Sequence, residues 1–186
     1  MSIHAKQWKA STFATANDHD LFAAVAAFNE EAVVETYDRH VSALGSLALL
    51  IAGDVELAKD AVVGAFIALW RAPTSIDLEE LTLRAALAGN VYTYCTHERK
   101  TRGGPGRQAK TCWSSQPTAL ANLFLPSRIQ RDLLGLILLG EHSYRQAACR
   151  VGLSEDIAAK MITTAIEHRQ LQRLFDLVDF ERIVAV

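Results

Sequence analysis

Apolar residues recur at three- and four-residue steps along most of the chain. From Leu21 to Gly53, Val34, Tyr37, Val41, Leu44 and Ala48 fall on one helical face, and Val33, Leu47 and Ile51 widen it. Gly53 is placed to end this helix and Asp54 to cap the next. After Asp54, Leu57, Ala61, Val62, Ala65, Phe66, Leu69 and Trp70 align at helical spacing, and Pro73 stops the run. Asp77 is placed to open a third helix reaching Lys100. Its acids lie in the first turn and its bases in the last, matching the helix dipole at both ends.

Gly103, Gly104, Pro105 and Gly106 cannot sit together inside a helix, so residues 101–118 read as a flexible linker. They divide the chain into one helical domain over 20–100 and another over 119–186, after a polar, aperiodic tail at 1–19. In the second domain Pro126 suits a first helical turn. Ser143 caps a short helix, Gly152 sits in a tight turn, and Ser154 caps a longer helix with Glu155 and Asp156 in its first turn. Ala147, Val151, Leu153, Ala158 and Met161 fall where two crossed helices would bury them. Ala148 is small enough for close approach, and Gly152 permits a left-handed turn. This is the pattern of a helix-turn-helix, with a plain helical hairpin as its alternative.

Composition agrees with an all-α fold. Half of the 186 residues are hydrophobic, Ala and Leu dominate, and only four prolines occur. No run approaches the ~18 apolar residues needed to cross a bilayer, so no membrane partner is expected. The start lacks the apolar core of a secretory signal. Cys95, Cys112 and Cys149 are odd in number and far apart, which suits a reducing cytoplasm better than a disulfide scaffold. Cys95 and His97 bring no second ligand pair, so neither metal nor cofactor is expected.

Charge changes the picture once it is divided along the chain. The total is −2, yet residues 20–94 hold eleven acids against four bases. Residues 97–110 hold five bases (Arg99, Lys100, Arg102, Arg107, Lys110) against one acid, and residues 122–186 balance at eight of each. Phosphate attraction follows such local clustering more than the total.

The order of these segments resembles the small alternative sigma factors of the extracytoplasmic-function class, in the sigma-70 family. GDVELAKDAVVGAFIALWRAP resembles their polymerase-binding helix, and LRAALAGNVYTYCTHERKTR their promoter-melting and reading helix. LPSRIQRDLLGLILLGEHSYRQAACRVGLSEDIAAKM resembles their promoter-binding helix-turn-helix domain. The resemblance covers about residues 25–175. It implies transcription initiation, with core RNA polymerase and promoter DNA as partners and an anti-sigma protein as a further one. Asp54, Glu56, Asp60 and Arg71 would contact polymerase. Asn90, Tyr92, Tyr94, Arg99, Lys100 and Arg102 would meet DNA in the first domain. Arg145, Gln146, Ser154, Glu155, Asp156, Lys160, Thr163 and Thr164 would do so in the second.

Several positions depart from the family pattern. Val63 and Gly64 stand where Gln-Glu is usual, and Leu83, Gly89 and Tyr94 where Trp, Arg and Asp are usual. The recognition helix keeps only Lys160 as a cation. Glu155 and Asp156 at its start repel phosphate unless one accepts from a cytosine amino group. The linker is basic where the family's tends to be acidic. Two readings follow: a divergent sigma factor, or a degenerate sigma-like regulator that binds a protein partner without independent promoter recognition. No nucleophile–base pair, phosphate loop or metal spacing supports an enzyme.

Overall fold

The computed structural model describes residues 12–73, 81–102 and 127–167, and these form seven α-helices and no strand. They are α1 (Asp18–Ala26), α2 (Glu30–Ala52), α3 (Val55–Arg71), α4 (Leu83–Arg102), α5 (Arg128–Leu138), α6 (Tyr144–Val151) and α7 (Glu155–Glu167). The chain is all-α among the described residues, as composition predicts.

Helix starts follow short polar side chains that accept from orphan amides of the first turn. Asn17 accepts from Asp20 N, Asn29 from Ala32 N, Asp54 from Leu57 N and Ser127 from Gln130 N. Gly53 ends α2 in the left-handed region at φ 69°.

Three boundaries differ from expectation. The tail was expected to run to residue 19, but α1 begins at Asp18, and Arg39 donates to Phe13 O (3.2 Å) and Ala16 O (2.9 Å) just before it. The single helix expected from Leu21 is broken at Phe28, which takes φ 59° between α1 and the Asn29 cap. The third helix starts at Leu83, where Thr82 Oγ1 accepts from Ala85 N at 3.1 Å, and its first turn holds no acid. Asp77 and Pro126 lie outside the described residues, as does the linker beyond Arg102.

α2 is the central element and packs against α1, α3, α4 and α5. Its buried face is rotated from the predicted one. Val34 and Tyr37 are exposed, while Thr36 and His40 are buried in line with Leu44, Leu47, Ala48 and Ile51. The polar pair is tolerated because it has partners. Thr36 Oγ1 donates to Ala32 O at 2.7 Å, and Arg84 Nε donates to His40 Nδ1 at 3.3 Å.

α5 lies directly on α2, and one apolar cluster includes residues of both helical sets, from Leu21 to Ala158. Glycine permits this approach: a Cβ on Gly135 would stand 2.8 Å from Leu50 Cδ2 and 3.0 Å from Leu47 Cδ1. Two ion pairs flank the contact. Arg84 meets Glu141 at 2.8 Å, and Arg99 meets Asp132 at 3.5 Å.

Candidate nucleic-acid interface

The α6–Gly152–α7 unit is assembled from local signals. Ser143 Oγ accepts from Gln146 N (3.3 Å) while Gln146 Oε1 accepts from Ser143 N (2.8 Å), a reciprocal capping box. α6 ends at Gly152, left-handed at φ 76° and ψ 33°, and the Leu153 amide donates back to Ala148 O at 2.9 Å. The Ser154 carbonyl then accepts from Ala158 N at 3.0 Å to start α7. Ala147, Ala148 and Ala158 are fully buried where the helices cross, and Val151, Leu153 and Met161 pack partly buried around them. Gln130 Nε2 donates to Met161 O at 3.0 Å, tying α5 to the middle of α7.

The outward face of α7 presents Asp156, Ile157, Lys160, Thr163 and Thr164. Both threonine hydroxyls donate to their own helix, to Ala159 O (3.0 Å) and Lys160 O (2.9 Å), so they face outward as acceptors. Arg145 is drawn to Glu155 at 3.0 Å and to the Tyr144 hydroxyl at 3.1 Å. Glu155 therefore offsets the charge of Arg145. Gln146 serves the capping box.

On α4 the predicted residues separate by task. Asn90 and Lys100 are exposed. Tyr92 is half-buried against the core, and burial raises its phenol above the usual range, with the Asp132 carboxylate adding to the effect. Tyr94 is also half-buried and faces Gly64 of α3, where a Cβ would meet its ring at 3.9 Å. Arg99 donates to Ile51 O at 2.9 Å and pairs with Asp132, so it joins α4 to α2 and α5. The side chain of Arg102 lies outside the described residues, as do Arg107 and Lys110.

At Gly89, where the sigma pattern has arginine, the guanidinium of Arg150 reaches over from α6. A Cβ there would stand 2.6 Å from Arg150 Cζ. A cation from the second helical set thus occupies the space beside Asn90.

The predicted polymerase contacts lie on α3. Asp54 is the helix cap, accepting from Leu57 N at 2.8 Å, and Glu56 pairs with Lys59 at 3.2 Å. Asp60 and Arg71 are exposed. Between them the helix also exposes Val63 (51 %) and Ile67 (45 %). Neighbouring Tyr37 tilts against Phe66 at 5.0 Å, and exposed Phe28 meets Trp70 edge-on at 5.4 Å. Charges of both signs around an exposed apolar strip make a surface suited to a protein partner.

Buried titratable groups that the sequence does not single out include His40, Asp132 and His142. His40 lies between Arg84 and Asp18, whose Oδ2 is 3.8 Å from Nε2, and burial lowers its pKa. Asp132 is 4 % exposed, and burial pushes its carboxyl up to about 6 against the pull of Arg99. His40 could have been suspected, since it lies four residues from both Thr36 and Leu44 on one face. Cys95 is buried, and that burial pushes its thiol up to about 12. Among the described residues no cluster of His, Cys, Asp and Glu could hold a metal, and no helix is long and apolar enough to cross a membrane.

No protein-family model, curated protein or solved structure matches this chain.

Proposed function

We propose that this protein is a sigma-factor-like transcription regulator. It docks on RNA polymerase through α3 and carries a helix-turn-helix to promoter DNA. In this reading α1–α4 form the polymerase-docking half and α5–α7 the DNA-facing half, joined through residues 101–118. The observation that carries it is the capped α6–Gly152–α7 unit braced on α5, following a helical set whose third helix exposes Asp60, Val63, Ile67 and Arg71.

DNA contact is expected to depend on polymerase. Free cations on the α7 face reduce to Lys160, since Arg145 is offset by Glu155. Few phosphate contacts mean a small electrostatic contribution to free-duplex binding. The same observation favours the second reading, a sigma-like regulator that grips a protein partner without reading promoters, because Arg99 is likewise engaged by Asp132 and Ile51.

Transcription by core polymerase from a random promoter library, with and without the full chain, tests the proposal. Enrichment of a shared upstream sequence supports the sigma reading. Binding to polymerase with no enriched sequence leaves the partner-binding regulator. Neither binding nor enrichment refutes both.

A further inference from the structure

We propose that the cleft between α4, α5 and α6 binds a small polyphosphate ligand, of the size of a nucleoside triphosphate. Arg99 and Lys100 line it from α4, Arg128 and Asp132 from α5, and Arg150 from α6, around about 750 Å³. Sites for small ligands typically enclose roughly 300–1,000 Å³, so a single phosphate would leave most of this space to water.

Charge selects the ligand. Asp132 offsets Arg99 at 3.5 Å. No ion pair among the described residues engages Lys100, Arg128 or Arg150, although the chain as a whole is net negative. Three helices thus bring like charges to one concave surface, where they repel one another and focus a positive potential. A multivalent anion would relieve that repulsion. The α5 N-terminus adds to it: Ser127 caps only the Gln130 amide, and the first-turn amides beside it have no acceptor within the helix.

The position of Arg150 depends on a glycine. Its guanidinium lies over the α4 backbone at Gly89, in space that any Cβ would fill. Tyr92 also lines the cleft, and burial keeps its phenol protonated as a donor. Thr96 Oγ1 donates to Tyr92 O at 2.8 Å and so faces a ligand as an acceptor, suited to a sugar hydroxyl or a base amine. A ligand held from all three helices would also clamp α4 to α5 and α6.

The test is isothermal titration of the full-length chain with inorganic triphosphate, ATP, GTP and a short single-stranded oligonucleotide. At least one of the first three should bind. Lys100→Ala and Arg128→Ala should each weaken binding about tenfold, as expected when a charge-assisted contact is removed. Both residues are exposed, so the variants should melt like the wild type. Gly89→Ala should displace Arg150 and weaken binding while melting no lower than wild type, because alanine is the better helix former. Lys160→Ala, on the outer face of α7, should change nothing. Failure of all three phosphates to bind at millimolar concentration would overturn the proposal. So would equal binding by the Lys100 and Arg128 variants. Tighter binding of the oligonucleotide than of any small phosphate would make the cleft a nucleic-acid surface and overturn the small-ligand assignment.

Discussion

Asp132 sits almost fully buried on α5, 3.5 Å from the Arg99 guanidinium and within the field of Arg131. Desolvation outweighs both cations and raises its pKa from 3.8 to about 6. The folded state therefore holds this proton more tightly than the unfolded chain. Its stabilising contribution is full below about pH 4 and is lost as the pH rises through about 6. Buried His40 and His142 act in the opposite sense. Burial lowers both pKa values below 6.5, so their contribution is present above that pH and fades as the pH falls. Asp132→Asn should remove the fall in stability between about pH 4 and 6, seen as a difference from wild type in urea denaturation at several pH values. Parallel curves would mean that the carboxyl titrates normally.

Arg99 tests the division between structure and DNA at the same scale. Arg99→Ala leaves Asp132 buried without its main partner and the Ile51 carbonyl without its donor. The cost should be about 3 kcal/mol in urea denaturation, the range for breaking a buried pair from one side. A loss well under 1 kcal/mol, together with a shallower salt dependence of DNA binding, would return Arg99 to the phosphate contacts suggested by its place in a basic run.

Local signals made several elements legible in the sequence. Asp54, Ser143, Gly53 and Gly152 each act at the boundary where composition places them, because a cap or a left-handed turn needs only neighbouring atoms. Ser143→Ala should cost about 1 kcal/mol through loss of the capping box. Gly152→Ala should cost about 1–2 kcal/mol, because φ 76° is unfavourable for an L side chain even with open space around it. Chemical denaturation reads both. No loss in either variant would show that α5, rather than the turn, sets the angle of α7.

Elements whose limits depend on distant partners leave a weaker trace in the sequence. The apolar residues of α2 predict one face, yet Thr36 and His40 occupy the core. Arg84 lies 44 positions from His40, and nothing in a three- or four-residue step reports that contact. The break at Phe28 was hidden because alanines continue the helical pattern up to it, and the strained residue is a poor turn former.

At the scale of the molecule the main feature not readable from the sequence is the seat of α5 on α2. The glycine-rich segment at 103–106 carries no sign of this contact, which Gly135 permits by letting Leu47 and Leu50 pack across the helices. A glycine inside an apolar stripe looks like a helix weakness until its neighbour is known. Gly135→Leu should cost about 2 kcal/mol by overpacking. If the docking surface on α3 works independently, partner binding should survive it.

The affinity of the full-length chain for core RNA polymerase decides whether α3 is a polymerase-docking surface. Wild type should bind at micromolar concentration or below. Reversing both exposed charges, Asp60→Lys with Arg71→Glu, should weaken binding by about tenfold or more while leaving helical circular dichroism unchanged. A wild-type chain that ignores core polymerase at micromolar concentration, or a double variant that binds as well as wild type, would show that α3 is not that surface.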